Sequence, residues 1–453
     1  MLERLRLHNF KAFEDLSINF APLTLLLGPN NSGKSSILAP LRLLAQTLDS
    51  PDPEVPLLLS GLFGDFGTFR DVVYRNHRGR PFSIAIELSP FYQGTLGLKD
   101  TKLIGIEVEY KFRTQRREVI LRSCRIYLDR KLALETEYSA DTERQAVASV
   151  AGSPVPPSIK ASLSRMLRLD HFLPAVLRLR RSSDEPESAL DAYLTPSRQE
   201  ALIRASRAVW EIRRQLQDLD YLGPMRSPPL RTYQYSGERR SRVGLHGEYA
   251  PGIIAMDASR RGRKRQSIAS QIGTWLASSG IAERLEVNVI SDRHYELRLR
   301  HPVTRESENL ADVGFGSGQV IPVLAAGYSL GRGSVLLIEE PEIHLHPRAQ
   351  AFLGDFLVDL HERGVQTIVE THSEHLVLRI QQHIAADNIY SSDIAVNYVY
   401  ADEATGRKVV AALGLNDRGA FTDEWPEGFF PERLEEAKRL ARIRQGQVSL
   451  PFR

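Results

Sequence analysis

A loop near the start of the chain combines glycine, lysine and serine at a spacing suited to binding phosphate. Residues 28–35 read Gly-Pro-Asn-Asn-Ser-Gly-Lys-Ser, which fits the pattern G-x-x-x-x-G-K-S. Glycine lets backbone N–H groups turn towards an anion, lysine adds a full positive charge, and the serine hydroxyl can bind Mg²⁺. These residues predict capture of a nucleoside triphosphate, ATP, together with Mg²⁺. The candidate ATP contacts are Gly28, Asn30, Asn31, Ser32, Gly33, Lys34, Ser35 and Ser36, and Ser35 is also a candidate magnesium ligand.

Two carboxylates follow a short apolar run much later in the chain. Residues 335–338 have the length and composition of a buried strand, and Glu339 and Glu340 come directly after them. Ligand sites in open α/β sheets lie beyond the carboxyl ends of strands. Since successive side chains on a strand point to opposite sides, the two carboxylates are expected to have different roles. We assign Glu339 to magnesium and Glu340, as the catalytic base, to the water that attacks the phosphate.

A histidine follows a further buried-strand candidate at residues 367–369. His372 comes just after this strand, where its imidazole could reach the terminal phosphate. A single histidine is more often structural than catalytic. Its place in the chain order, after the phosphate loop and the carboxylate strand, favours a catalytic role for His372.

A second glycine-rich turn, at residues 312–319, runs into the apolar segment 320–324. Backbone N–H groups at the start of a helix carry partial positive charge and attract anions. A hairpin turn has the same composition, so the motif alone is a weak signal. Its position shortly before the carboxylate strand favours phosphate binding. The candidate ATP contacts in this segment are Gly316, Ser317, Gly318 and Gln319.

The elements that must position these residues are indicated by hydrophobic periodicity. Residues 23–27 form a short apolar run closed by glycine, typical of a buried strand, and a helical pattern follows from residue 37 to 48. Alternating apolar and polar residues predict an antiparallel meander at 82–88, 104–112, 119–128 and 132–138. The expected fold class is α/β, with a mixed sheet core, an antiparallel β-meander and a helical insertion.

Shifts in composition divide the chain into four expected units. Residues 1–138 hold the phosphate loop and the antiparallel sheet. Residues 139–157 are rich in Ser, Ala, Thr and Pro and are predicted to be a linker, which with the helical pattern after it forms an insertion over 139–220. The amphipathic segment 201–219 is expected to pack on its own domain. Residues 221–400 carry the second glycine-rich turn, the carboxylates and the histidine, and 401–453 form a C-terminal extension.

Bulk properties are those of an ordinary globular protein and exclude several classes. Of the 453 residues, 42% are hydrophobic and 25% are charged, and the net charge is +3. The single cysteine, Cys124, excludes an intrachain disulfide, and so small a net charge leaves nucleic-acid binding to local patches. The sequence has neither a signal peptide nor an apolar run of about 18 residues. We therefore expect a cytoplasmic protein with no membrane partner.

Together and in this order, the motifs resemble the head of ABC-type ATPases, most closely the SMC-like and OLD-like branch. Residues 28–35 match Walker A, 315–319 the signature motif, 338–341 Walker B, and His372 the switch histidine. The segments 9–13, 221–226, 338–347 and 425–430 also look like OLD-like bacterial ATPases. The resemblance implies an ABC-type P-loop ATPase head that binds ATP with Mg²⁺ and hydrolyses the ATP to ADP and phosphate.

The resemblance also implies a homodimer or higher oligomer, in which the signature motif of one copy meets the ATP bound by another. His346 stands at the place of the D-loop aspartate in that family. Gly316 occupies the position of the signature serine, with Ser317 beside it, and the region of the Q-loop offers only Gln46 and the segment 64–67. A missing γ-phosphate sensor of this kind would make hydrolysis slow.

Two biological roles fit such an ATPase. The first is a sensor, scaffold or regulator of a separate effector, a nuclease, in bacterial antiphage defence, as for the ATPase subunits of Septu or PARIS systems. Few residues follow His372, too few for an OLD-type nuclease domain, which favours this role. The second is an SMC-like clamp on duplex DNA of the DNA-repair type. The candidate DNA contacts are Arg260, Arg261, Arg263, Lys264 and Arg265, although a solvated basic loop has the same composition.

Overall fold

The computed structural model describes residues 1–91, 98, 100–176, 189–259 and 267–426. The candidate DNA contacts at 260–265 lie outside these residues, as do 427–430 of the C-terminal motif and the chain after them. Within the described ranges, no helix is both long enough and apolar enough to cross a membrane.

Strands make up much of the described chain and are concentrated in its first half. In chain order they are β1 (Leu2–Phe10), β2 (Phe13–Asn19), β3 (Leu23–Leu27), β4 (Ser60–Gly61), β5 (Gly64–Asp65), β6 (Phe82–Leu88), β7 (Ile104–Arg113), β8 (Glu118–Leu128), β9 (Lys131–Ser139), β10 (Arg144–Val150), β11 (Ser153–Pro154), β12 (Leu167–Asp170), β13 (Leu173–Val176), β14 (Leu219–Leu222), β15 (Tyr233–Gln234), β16 (Arg284–Val289), β17 (His294–Arg300), β18 (Ser307–Asn309), β19 (Val335–Glu339), β20 (Gln366–Glu370), β21 (Ile394–Ala401) and β22 (Lys408–Leu413).

Helices follow several of these strands and become more frequent in the second half. They are α1 (Lys34–Leu48), α2 (Phe69–Val72), α3 (Pro157–Arg165), α4 (Ala189–Tyr193), α5 (Pro196–Gln217), α6 (Ala250–Ala258), α7 (Ile268–Ser279), α8 (Phe315–Ser329), α9 (Pro347–Glu362) and α10 (Glu374–Ala385).

A six-stranded sheet lies beneath the phosphate loop, in the order β14-β19-β20-β3-β21-β22. Its neighbouring strands run parallel except β22, which pairs antiparallel with β21, so the predicted mixed core is confirmed. Every residue of β3, β19 and β20 is buried, as expected for parallel strands covered on both faces. The phosphate loop, the two carboxylates and His372 therefore follow the carboxyl ends of three adjacent strands.

The second large sheet is antiparallel, in the order β11-β10-β9-β8-β7-β6-β1-β2. The predicted meander is confirmed, because its four segments are β6 to β9. Helix α1 is buried between this sheet and the core sheet, in one hydrophobic core that also includes residues of α5. Helices α6 to α10 contribute to a second core on the opposite face of the core sheet. The start of α1 is thus fixed by packing from two sheets.

The prediction of a linker at 139–157 is wrong for its middle part. Strand β10 pairs antiparallel with β9 and leads through a turn into β11. Ala146, Val147 and Val150 of β10 are buried, and the amide of Val147 donates a hydrogen bond to the hydroxyl of Ser164 in α3. Small side chains fit beneath that helix, so a composition that resembles a linker forms a strand here.

The helical insertion contains α3, α4 and α5, and the hairpin β12–β13 interrupts it. The apolar stripe predicted in 201–219 packs on α1 and on strands of the antiparallel sheet. The buried members of the stripe are Leu202, Ala205, Val209, Ile212 and Leu216.

Candidate nucleotide-binding site

The phosphate loop turns tightly between β3 and α1. Gly28 has a φ of 137°, and a Cβ at this position would lie 2.0 Å from the carbonyl oxygen of Val399, so only glycine fits. Gly33, directly before α1, is also left-handed, with a φ of 109°. The first turn of α1 therefore adjoins the loop and brings the partial positive charge of a helix start to it.

The ammonium group of Lys34 lies within the loop. It donates hydrogen bonds of 3.0 Å to the carbonyl oxygens of Gly28 and Pro29, and the side chain is only 3% exposed. Burial lowers the pKa of Lys34, while the charge of Glu370 opposes this shift. When phosphate is present, the ammonium group can exchange its hydrogen bonds with the loop carbonyls for hydrogen bonds with phosphate oxygens, which are stronger acceptors.

Glu370, at the end of β20, is the carboxylate that contacts the phosphate loop. Its Oε2 accepts a hydrogen bond of 2.9 Å from the Ser35 hydroxyl, and its Oε1 lies 3.6 Å from the Lys34 ammonium. Burial, followed by the charge of Glu339, raises the pKa of Glu370 to about 7. Glu370 was not among the residues expected at the site, although it ends a buried strand just as Glu339 does.

Glu339, the expected magnesium ligand, has different partners. Its Oε1 accepts a hydrogen bond of 2.8 Å from the Tyr221 hydroxyl and lies 3.3 Å from Nη1 of Arg42. The Arg42 guanidinium stacks over the Tyr221 ring at 3.8 Å. Burial raises the pKa of Glu339, and Arg42 opposes this effect. The assignment of Glu339 to magnesium stays a prediction, and the carboxylate found on Ser35 is that of Glu370.

Glu340 and His372, the two expected catalytic residues, cluster with Glu370. One carboxylate or imidazole atom from each of the three lies within 4.8 Å of the others. Glu340 has a φ of 47°, and its amide donates a hydrogen bond of 2.7 Å to the carbonyl oxygen of Glu370. Arg226 donates to the carbonyl oxygens of Glu339 and Glu340 and so holds this strained turn in place.

A buried carboxylate, Glu342, fixes the backbone at His372. Its Oε1 accepts a hydrogen bond of 2.6 Å from the His372 amide. Burial, followed by the charge of Lys34, lowers the pKa of His372, which favours the neutral form of its imidazole. A neutral imidazole donates one hydrogen bond and accepts another.

The donors at this edge of the sheet suit a hard cation. Magnesium prefers oxygen ligands and commonly takes one or two carboxylates together with phosphate oxygens. The hydroxyl of Ser35 and the carboxylates of Glu340 and Glu370 supply such oxygens. The residues present therefore fit Mg²⁺ bound beside nucleotide phosphates.

The second glycine-rich turn starts helix α8, as the sequence predicts. Phe315, the first helical residue, is 60% exposed, whereas Ser317 and Gln319 are buried. A Cβ on Gly316 would lie 2.7 Å from the carbonyl oxygen of His344. Glycine at this position therefore lets α8 begin against the backbone of His344, and the assignment of the turn to ATP stays a prediction.

A cavity of about 320 Å³ adjoins the start of α8. Ser317, His344, His346 and Arg348 are among the residues that line it. His346, expected at the place of a D-loop aspartate, precedes α9 and accepts a hydrogen bond of 3.3 Å from the Arg348 amide. This histidine therefore caps a helix in the described chain.

The candidates for the Q-loop region lie on and beside the hairpin β4–β5. Gln46 donates a hydrogen bond of 2.6 Å to the carbonyl oxygen of Leu58, so its amide nitrogen links α1 to the segment just before the hairpin. The carbonyl oxygen of Phe63, in the hairpin turn, accepts a hydrogen bond of 2.6 Å from Arg42. The hairpin thus contacts the arginine that pairs with Glu339.

A glycine-rich phosphate loop at the end of a parallel strand, with carboxylates and a histidine at the ends of the neighbouring strands, is the arrangement of a P-loop nucleotide-binding domain. Residues 23–379 match the model of the family described as "AAA domain, putative AbiEii toxin, Type IV TA system". The match covers most of the chain, and the chain belongs to this family. No curated protein sequence matches the chain.

Several solved structures of SMC heads are similar to the chain. The SmcHead bound to the C-winged helix domain of ScpA is 12% identical with a TM-score of 0.41, and the similarity covers 92% of this chain and 98% of that one. The SMC head domain from Thermotoga maritima is 12% identical with a TM-score of 0.39, and the similarity covers 92% of this chain and 99% of that one. A third structure is the Smc head domain with an extended coiled coil, bound to the C-terminal domain of ScpA derived from Pyrococcus furiosus. It is 11% identical with a TM-score of 0.42, and the similarity covers 98% of this chain and 99% of that one.

Proposed function

We propose that the chain binds ATP with Mg²⁺, hydrolyses it to ADP and phosphate, and forms a homodimer or higher oligomer around the nucleotide. The observation that carries this proposal is the meeting of Lys34 and Ser35 with Glu340, Glu370 and His372 at one edge of the core sheet. A cationic loop beside a base and a neutral imidazole has the groups that phosphoryl transfer to water requires.

The residues of the chain divide the chemistry between them. Lys34 and the amides of the loop bind the β- and γ-phosphates, and Ser35 provides a hydroxyl ligand to the metal. Magnesium, when bound, supplies positive charge that offsets the charge of the phosphates. Glu340 orients the attacking water and accepts its proton, and the neutral imidazole of His372 holds the terminal phosphate by a hydrogen bond.

The biological role that we infer is regulation of a separate effector, a nuclease, in bacterial antiphage defence. The family description, which names a putative AbiEii toxin of a Type IV TA system, supports a role together with the product of a second gene. In this role the chain acts in the cytoplasm, and ATP-dependent association of its copies switches the effector. The alternative is a clamp on duplex DNA.

Phosphate release by the purified full chain tests hydrolysis, and native mass spectrometry with ATP and with ADP tests the assembly. We expect magnesium-dependent release and a dimer that forms with ATP but not with ADP. Phosphate release equal to that of a buffer blank would refute hydrolysis. Co-expression with the product of the neighbouring gene tests the role: a stable complex with a nuclease supports regulation, and hydrolysis stimulated by duplex DNA alone supports the clamp.

A further inference from the structure

We propose that Glu370, rather than Glu339, is the carboxylate that binds magnesium beside the phosphate loop. The inference rests on the nucleotide-binding function proposed above and assigns the metal ligand of that same site. Glu340 keeps its role as the base. Glu370 and Glu339 differ in their distance from the phosphate loop, in the position of their strands and in the cation that balances their charge.

The distance between Ser35 and Glu370 is that of two oxygens in the coordination shell of magnesium. The Ser35 hydroxyl oxygen and Oε2 of Glu370 are 2.9 Å apart. Magnesium holds its ligands at about 2.0–2.1 Å in an octahedron, so two neighbouring ligand oxygens lie about 2.9 Å apart. The two oxygens are therefore already at the spacing that shared coordination of one magnesium ion requires.

The order of the strands brings Glu370 nearer to the phosphate loop than Glu339. Strand β20, which ends at Glu370, pairs directly with β3, and β19, which ends at Glu339, lies one strand further away. Neighbouring strands are roughly 4.8 Å apart. The register pairs Glu339 with Glu370, so the two carboxylates are at the same height on the sheet and differ in this lateral distance.

The two carboxylates also differ in the cation that balances their charge. Glu339 pairs with Arg42, whose guanidinium is held in addition by the Phe63 carbonyl and the Tyr221 ring. Glu370 faces Lys34 at 3.6 Å, and Lys34 is the residue that binds phosphates when ATP arrives. A buried carboxylate that loses its cation is costly, so Glu370 then needs a new one. A magnesium ion that binds together with ATP would supply this cation.

The test measures the affinity of the full chain for a fluorescent ATP analogue, in excess Mg²⁺ and in EDTA. The wild type is compared with Glu370→Gln and with Glu339→Gln. Glutamine has the same shape as glutamate and can still accept the hydrogen bond from Ser35. Bound Mn²⁺ in the ATP complex, detected by electron paramagnetic resonance, provides a readout that does not depend on hydrolysis.

We expect Glu370→Gln to lower the affinity of the nucleotide complex for Mn²⁺ by roughly tenfold or more. Its affinity for the analogue in EDTA should be equal to or higher than that of the wild type, because one negative charge near the phosphates is gone. Glu339→Gln should keep the gain in affinity that Mg²⁺ gives. The reverse result, with the metal dependence lost in Glu339→Gln and kept in Glu370→Gln, overturns the proposal.

A second variant keeps the proposal testable if Glu370→Gln does not fold. Glu370→Asp retains the charge but shortens the side chain by one methylene, so we expect weaker Mn²⁺ binding with the metal dependence preserved. Mn²⁺ affinity equal to that of the wild type would argue against direct ligation. A wild type that binds the analogue in neither buffer refutes the proposed function itself, a result distinct from each of the others.

Discussion

The chain begins two helices with glycine-rich sequence, α1 and α8, and the surroundings of these two starts differ in charge. At α1, the buried side chains of Lys34 and Glu370 bring an ammonium and a carboxyl group, 3.6 Å apart, to the first turn. At α8, the first turn has neither acidic nor basic residues, and its first side chain is the exposed Phe315. Both starts carry the partial charge of helix N–H groups, but α1 alone adds a lysine of its own.

Under the proposed function, this difference assigns nucleotide binding to the start of α1 and contact with another copy to the start of α8. The start of α1 can hold a nucleotide by itself, because the cation and the carboxylates come from the same chain. The start of α8 offers helix amides and the exposed ring of Phe315, which suits it to complete a site on another copy. Substitutions at the start of α1 should therefore abolish nucleotide binding. Substitutions at the start of α8 should leave nucleotide binding unchanged and weaken the ATP-dependent assembly of copies.

The largest effect is expected from Lys34→Ala. The change removes the ammonium that the loop carbonyls hold, and phosphate oxygens lose their charged donor. We expect ATP affinity to fall by more than roughly 100-fold, as measured by isothermal titration calorimetry. Nucleotide binding at normal affinity in the folded variant would show that the loop has another role.

The next effect is expected from Glu340→Gln. Without a base, hydrolysis should slow by roughly 10²–10⁴-fold, while ATP stays bound and the dimer persists. Phosphate release and native mass spectrometry measure the two outcomes separately. Unchanged turnover would refute the assignment of Glu340 as the base.

A smaller effect is expected at α8 from Gly316→Ala. Its new methyl group would press on the carbonyl oxygen of His344 at 2.7 Å and displace the start of the helix. Overpacking of this kind costs about 1–3 kcal/mol. We expect weaker ATP-dependent assembly with unchanged nucleotide affinity of the single subunit. The matched control is Gly314→Ala, since a Cβ there meets nothing within 4 Å, and equal effects of the two changes would contradict the comparison.

The smallest effect is expected from Arg231→Ala, which breaks an ion pair near α8. Arg231 binds Asp312 through two hydrogen bonds of 2.6 and 2.9 Å, but both side chains are well exposed. Exposed pairs of this kind contribute less than about 1 kcal/mol to the free energy of unfolding. Thermal melting should show almost no change. A large loss would mean that the α8 start depends on charge, as α1 does.

The parts of the site that could be predicted from sequence are those encoded by neighbouring residues. The phosphate loop and the two-residue alternation of β6 to β9 are local patterns, so both were found. Strand β10 was missed because its alternation uses alanine and serine, which are also common in linkers. Composition alone does not distinguish the two cases.

Glu370 illustrates what local patterns cannot provide. Glu339 and Glu370 both end buried apolar runs, and only the pairing of β20 with β3 decides which of them reaches Ser35. That pairing joins residues far apart in the chain. The contacts of Glu339 with Arg42 and Tyr221 are equally remote in sequence, so its partners could not be deduced from the motif.

The position of β3 in the core sheet has a consequence for synthesis of the chain. Its two neighbours, β20 and β21, begin only at residues 366 and 394. At the usual rate of roughly 5–20 residues per second, the newly made β3 waits on the order of 20–70 seconds for either neighbour. An apolar strand with both edges unpaired is prone to aggregation during this time. Nascent chains interrupted before residue 366 would expose this strand, so we expect them to depend on chaperones and to lack ATP binding.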